Sequence, residues 1–206
     1  DENGYCNHCN SAIAALGKPP FSLSEEQKKN DLNKIFNEIK QAGIKKKYDC
    51  LIGISGGADS SYVVHLAVEA GLRPLLIHLD NGWNTLEADY NIHCIRDNLK
   101  LDLIIPQLDI EEFKRLQLAF LKASVPDCDI PSDHAIMSLI MDYAQKYKIR
   151  YVLNGVNFSS ESILPRSWSQ GHIDYRYISS VYKLFMHKKL KHLPHSTLVG
   201  QIMTKL

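Results

Sequence analysis

The chain has 206 residues, 45% of them hydrophobic, and a formal net charge of +1. That length and apolar content fit one domain with a sizeable core and a small appendage, and the near-neutral charge argues against a dominant nucleic-acid surface. No apolar run approaches the ~20 residues of a membrane span and no signal peptide is visible, so a cytoplasmic protein with no membrane partner is expected. Five scattered cysteines, an odd number, suit reduced thiols or a metal better than a disulfide framework.

Residues 1–22 read as a separate piece carrying Cys6-Asn-His-Cys9, a knuckle that presents two thiolates to zinc. One such pair is half a site. His8, a distant cysteine or residues outside this chain would complete it, and two unrelated thiols are the plainer alternative. Ser24 with Gln27 forms a capping-box pattern ahead of a helix whose buried face is Leu32, Ile35, Phe36 and Ile39, stopped at Gly43.

Residues 48–54 form a first strand, apolar enough to be buried on both faces as parallel strands are. It ends in Gly53-Ile-Ser55-Gly56-Gly57-Ala-Asp59-Ser60-Ser61, and a helix carrying Val63, Val64, Leu66 and Ala67 follows, ending at Gly71. A strand, a glycine turn and a helix N-terminus make an anion site: glycine allows close backbone approach, and the free N–H groups and helix dipole favour phosphate. Ser60 and Ser61 add hydroxyls. The Walker loop is excluded because no lysine follows the glycines, and the chain contains no G-x-G-x-x-G run.

A second strand over 74–79 delivers His78, Asp80, Asn81 and Gly82 to the same sheet edge, where open α/β sheets bind ligands. Asp80 and Asn81 are placed near a nucleoside, with Asp-Asn-Gly turn chemistry as the alternative. Asn84 with Glu87 is expected to cap a helix buried through Ala88, Ile92, Ile95 and Leu99, with Cys94 off that stripe. A third strand spans 101–105. Asp109 with Glu112 caps a helix bearing Phe113, Leu116, Phe120 and Leu121. Pro126 and Pro131 mark a loop. Ser132 is then expected to cap a helix with Ile136, Leu139, Ile140, Tyr143 and Tyr147 inward and with Asp133 and His134 in its first turn, where His134 is either a site residue or a surface one. A fourth strand over 149–153 ends in Asn154-Gly155-Val-Asn157, with Glu161 four residues on as a carboxylate suited to Mg²⁺. Residues 174–185 read as a helix with Ile178, Val181, Tyr182 and Phe185 apolar. Among Lys183, residues 187–189, Lys191 and His192, one cation is expected to meet a departing pyrophosphate.

Strands alternating with helices give an α/β domain with a doubly wound parallel sheet. We divide the chain into the 1–22 segment, a nucleotide-binding domain over 23–165 and an incomplete C-terminal helical segment over 166–206.

The Ser55-Gly-Gly-Ala-Asp-Ser60 run resembles the signature of the PP-loop ATP pyrophosphatases, a Rossmann-like, adenine-nucleotide alpha-hydrolase-like family that cleaves ATP between the α and β phosphates. Further stretches resemble one branch, the N-acetyl sugar amidotransferases of bacterial surface-polysaccharide (O-antigen, lipopolysaccharide) biosynthesis. They are Gly4-Tyr-Cys-Asn-His-Cys9, His78-Leu-Asp-Asn-Gly-Trp-Asn84, residues 119–127, Pro131-Ser-Asp-His-Ala-Ile136, and Gly155-Val-Asn157 with Glu161, Leu164-Pro165 and Trp168. Tyr182-Lys183 stands where the branch has His-Lys, and the chain stops short of the branch's C-terminal region.

The resemblance implies an ATP-dependent conversion of an acetamido group on a nucleotide-linked sugar to an acetamidino group. Ammonia would come from glutaminase and cyclase-like subunits. By the same resemblance Gly53, Ser55, Gly56, Gly57, Ser60, Ser61, His78, Asp80, Asn81, Gly155 and Asn157 bind ATP, and Asp59 and Glu161 serve the Mg²⁺–pyrophosphate network. Lys122, Asp133, His134 and Lys183 act on the reacting side, where Trp83 and Asn84 also lie, and Cys6 and Cys9 hold zinc. Two alternatives stand beside this reading: a PP-loop tRNA-modifying enzyme (a thiolase or lysidine-type ligase) and a non-catalytic ATP-binding module.

Overall fold

The computed structural model describes residues 2–156 and 174–195. Helix α1 (Asn7–Leu16) buries none of its residues. Helix α2 (Glu25–Ala42) opens on the expected capping box: Ser24 accepts from the Gln27 N–H, and the Gln27 side chain accepts from the Ser24 N–H. Four short strands follow, β1 (Cys50–Gly53), β2 (Pro74–Ile77), β3 (Asp102–Ile104) and β4 (Tyr151–Leu153). Between and after them run α3 (Ala58–Glu69), α4 (Leu86–Leu99), α5 (Ile110–Ala123), α6 (Ile130–Lys146) and α7 (Tyr175–Met186).

The sheet is entirely parallel in the order β3-β2-β1-β4. The loop-bearing strand β1 is therefore central, and it is buried on both faces because helices cover both. Cys50, Ile52 and Ile54 point into a core shared with Phe36, Ile39, Val64, Ala67 and Ile92 from α2, α3 and α4. Leu51 points the other way, with Leu75 and Ile77, onto Ile140 and Ala144 of α6. This is the expected doubly wound α/β arrangement. Each fully buried Leu or Ile contributes about 1.5–3 kcal/mol.

A third core lies beside the sheet. Phe113, Leu116 and Phe120 of α5 meet Ile178 and Tyr182 of α7, with Leu190 and Leu193 from the segment after it. A buried carboxylate secures that segment: Glu112 accepts from the Lys191 N–H at 3.1 Å and the His192 N–H at 2.6 Å. Glu112 thus anchors a chain segment instead of completing a capping box, although Asp109 does accept from the Glu112 N–H as expected.

Several boundaries differ from the sequence expectations. The strands are two to three residues shorter, because flanking backbone pairs outside the regular ladder. Thr85, not Asn84, caps α4 by accepting from the Ala88 N–H. Helix α6 begins at Ile130 with Asp129 as its N-cap, so Ser132 lies inside the first turn and is buried. Pro131 fits there because the first helical N–H groups need no partner within the helix. Ile35, Leu99 and Ile136, expected inward, are exposed. Gly43 ends α2 at negative φ. Glycine is needed there by proximity: a Cβ would sit 2.9 Å from the Asp49 Cα and against its carboxylate. Glu161, Asn157, residues 164–168 and the apolar C-terminal residues lie outside the described residues.

Candidate phosphate-binding site

The site is built where β1 hands over to α3. The Ile54 N–H still pairs with the Ile77 carbonyl, so the chain leaves the sheet at Ser55. Gly56 turns it at φ +77°, and a side chain there would lie 2.8 Å from the Ala88 Cα of α4. Gly57 is the N-cap of α3 and offers no side chain to cap it. The Ser61 N–H makes the first bond of the helix, to the Gly57 carbonyl at 3.2 Å. The N–H groups of Ala58, Asp59 and Ser60 therefore have no acceptor within the helix, which is the kind of donor set an anion requires.

The serines brace this loop. Ser60 is buried, takes the Ser55 N–H at 3.2 Å, and its hydroxyl lies 3.1 Å from the Ser55 hydroxyl. The Ser61 hydroxyl donates to the Gly57 carbonyl at 2.6 Å. Asp59 is exposed in the first turn, its carboxylate beside the helix N-terminus. Gly155, after β4, presses against this turn: a Cβ there would be 2.7 Å from the Ser60 nitrogen and 2.9 Å from the Asp59 carbonyl carbon. Gly53, at the end of β1, faces Ile140. Ser55, Gly56, Gly57, Asp59, Ser60, Ser61 and Gly155 thus form one cluster.

Two contacts that tie the loop down are not evident in the sequence. Asn91, one turn into α4 from Ala88, donates from its side chain to the Gly56 carbonyl at 3.0 Å. His78 is buried behind the loop, its Nδ1 2.8 Å from the Ile54 carbonyl and its Nε2 2.9 Å from the Asn84 amide. A carbonyl only accepts, so Nδ1 is the donor. The His78 ring, expected beside ATP, links β1 to the loop after β2, and the Asn84 side chain, expected on the sugar side, holds that ring. Nothing local distinguishes either residue from ordinary loop and helix polarity.

The loop after β2 supplies the turn that Asp-Asn-Gly spells. Asp80 accepts from the Gly82 N–H and Asn81 from the Trp83 N–H, both at 3.1 Å, with Gly82 at φ +82°. Asp80 also extends the sheet by an isolated parallel bridge to Gln107. Trp83 is 70% exposed and donates from its indole to the Gln117 side chain of α5 at 2.8 Å. Lys122 and Lys183 are exposed in the last turns of α5 and α7. His134, 3% exposed, packs toward Tyr175 of α7 with ring centres 6.0 Å apart, so it is neither a surface residue nor in the first turn of α6. Asp133 is half-buried beside it. These four lie on α5, α6 and α7.

The Cys6 and Cys9 sulfurs are 3.4 Å apart at the exposed start of α1. The Cys9 N–H donates to the Cys6 sulfur and lowers the Cys6 thiol below its usual range. Among the described residues no group of three or more His, Cys, Asp or Glu side chains converges as a metal site, and no helix is long and apolar enough to cross a membrane.

No family model and no curated protein matches the chain. Several solved structures resemble it. The NH3-dependent NAD synthetase of Campylobacter jejuni is 20% identical with a TM-score of 0.47, covering 61% of this chain, which spans 55% of the length of that one. The NMN synthetase of Francisella tularensis is 14% identical with a TM-score of 0.47, covering 88% of this chain and 93% of its own. The U34-tRNA thiolase of Methanococcus maripaludis, with its [4Fe-4S] cluster, is 13% identical with a TM-score of 0.41, covering 84% and 70%. The fold and site define a parallel α/β domain with an uncapped, glycine-turned loop at the end of its central strand.

Proposed function

We propose that the protein is an ATP-dependent amidotransferase of the PP-loop type, converting an acetamido group on a nucleotide-linked sugar to an acetamidino group. The observation that carries the ATP half is the uncapped start of α3 behind Gly56 and Gly57, with Asp59 in its first turn. The sugar half rests on the motif resemblance.

An amide carbon is a poor electrophile until its oxygen becomes a leaving group. The amide oxygen attacks the α phosphorus of ATP, the bond from that phosphorus to the bridging oxygen breaks, and pyrophosphate leaves with the electron pair. Ammonia adds to the imidate carbon and loses a proton, AMP departs, and C=O has become C=NH. The loop N–H groups hold the phosphates in line and meet charge building on the departing pyrophosphate. Such a site must exclude water, which competes with ammonia.

Asp59 is an exposed oxygen ligand beside the phosphate position and fits Mg²⁺, with Glu161 as its expected partner; the ion would neutralise charge on the phosphates. Cys6 and Cys9 fit one half of a zinc site. Glutaminase and cyclase-like subunits would supply ammonia.

The test is product analysis. The protein is incubated with ATP, Mg²⁺, ammonium and a UDP-linked diacetamido sugar, and the nucleotides are separated. AMP and pyrophosphate that require both sugar and ammonium support the reading, as does a sugar in which NH replaces oxygen. AMP formed with tRNA instead moves the protein to the modification enzymes, and ATP binding without cleavage leaves a binding module. Asp59→Ala is expected to abolish turnover with the fold intact.

A further inference from the structure

At the sheet edge opposite the phosphate loop, each described strand is preceded by a residue in the left-handed region. These are Lys45 (φ +67°) before β1, Gly71 (φ +76°) before β2, Lys100 (φ +53°) before β3 and Lys148 (φ +55°) before β4. Glycine occupies such positions without strain, and a lysine there is strained. Three of the four nonetheless carry lysine, all exposed.

The fold gathers more charge around them. The Lys46 ammonium donates to the Lys148 carbonyl at 2.9 Å, so the 45–47 and 146–150 segments lie side by side at the starts of neighbouring strands. Lys146 sits over the Tyr143 and Tyr147 rings at 5.4 and 5.7 Å, and Arg150 over Tyr151 at 5.7 Å. Four acids share this edge: Asp49 is buried against Arg73, Asp102 is paired with Lys47 and Tyr48, Asp97 with Arg96, and Glu69 lies 3.6 Å from His65, the last two with exposed side chains. Ile44, 57% exposed, adjoins the basic run.

We propose that this edge attaches the protein peripherally to an anionic lipid surface. Exposed lysines with long apolar stems and one exposed isoleucine are what an interface of headgroups and acyl chains takes. Lysine dominates over arginine, which suits point-charge attraction better than bidentate reading. The tyrosine rings carry cations or one another and are not open for base stacking, as single-stranded nucleic acid would need. A bilayer at this edge also leaves the phosphate loop facing solvent, whereas a nucleic-acid substrate bound here would lie away from it. Helix dipoles also favour cations near helix C-termini, but a lysine in the last helical turn serves that purpose without a left-handed backbone. Each basic residue at an anionic surface contributes about fivefold in partitioning, so the cluster gives weak, reversible attachment.

Co-sedimentation with phosphatidylcholine vesicles, with and without phosphatidylglycerol, tests this at low and high salt. Binding is expected only with the anionic lipid and only at low salt. The Lys45→Gly, Lys100→Gly, Lys148→Gly triple variant relieves the strain, so it should melt at an equal or higher temperature while partitioning falls about 100-fold. Ile44→Ser should weaken vesicle binding with the charge intact, and ATP binding should be unchanged in both variants. The proposal is overturned by no binding to anionic vesicles at low salt. It is equally overturned if binding persists in the triple variant, or if the same lysines serve RNA or an acidic protein while vesicles are ignored.

Discussion

The Asn91 side chain holds the carbonyl of Gly56 at 3.0 Å. The C=O and N–H of a trans peptide point in opposite directions, so fixing that oxygen on α4 aims the Gly57 N–H back into the loop, where the Ser55 hydroxyl lies 3.4 Å away. A residue 35 positions along the chain thus orients the peptide of the candidate anion site. Asn91→Ala is expected to weaken ATP binding about fivefold, the worth of one hydrogen bond of ~1 kcal/mol, with little change in melting temperature. Titration calorimetry with ATP and Mg²⁺ measures it; an unchanged Kd removes Asn91 from the site.

Gly155 offers a steric test of the same cluster. Its missing side chain leaves room for the Ser60 backbone, which a Cβ would approach to 2.7 Å. Gly155→Ala should push the first turn of α3 out of place, costing about 1–3 kcal/mol of stability and more than tenfold in ATP affinity. Thermal melts and ATP titration together read both effects, and a variant that binds ATP normally would show that the 154–156 loop yields freely.

The Asp49–Arg73 pair sets a pH dependence. Burial works against the Asp49 charge, but hydrogen bonds from the Arg73 side chain and backbone N–H outweigh it and hold the carboxyl below its ordinary value of 3.8. A carboxyl lowered by folding contributes stability that is complete above the unfolded value and is lost as pH falls through the folded one. Wild type should therefore lose stability below about pH 4 more steeply than Asp49→Asn, which lacks that titration. Melting curves between neutral and acid pH decide it. Parallel curves would mean the pair is energetically silent.

Glu112 makes a prediction about the C-terminal segment. Removing its carboxylate leaves the Lys191 and His192 N–H groups without their acceptor, at a cost of about 1–3 kcal/mol. Glu112→Ala should speed tryptic cleavage after Lys188, Lys189 and Lys191 several-fold while the sheet domain stays intact. Unchanged digestion would show that Leu190 and Leu193 hold the segment unaided.

The thiols should separate by reactivity. Cys6, lowered by the Cys9 N–H, is expected to alkylate first at neutral pH. Cys50, buried and pushed up to about 12 by that burial, should not react in the folded protein. Bound Zn²⁺ would block Cys6 and a chelator restore it. Mass mapping of iodoacetamide adducts checks both, and equal labelling of Cys6 and exposed Cys128 would show no activation.

The central strand and its loop were legible because their signals are local: an apolar run, two glycines, then a helix. What the loop leans on was not. Ala88 and Asn91 reach it only through the fold, and no spacing rule connects residue 91 to residue 56, whereas Gly155 is placed at the same edge by the end of the fourth strand. The α4 cap was misplaced by one residue because Asn84 and Thr85 are both good N-caps, and Asn84 is taken by the buried ring of His78. The α6 start was misplaced because Pro131 signals a break and a first helical turn equally well. The three lysines at left-handed positions were invisible, since sequence shows charge runs but not backbone conformation.

Because β1 lies between β2 and β4, with Cys50, Leu51 and Ile52 wholly shielded, the glycine turn is rooted in a shielded interior strand of the described sheet. Amide exchange should be slowest there, near the limit set by global unfolding. A ligand seated on such a base finds donors already in place and spends little of its interaction on ordering them. The entropic cost of closing over a second substrate would then fall on the loop after β2, where exposed Trp83 reaches α5, rather than on the glycine turn.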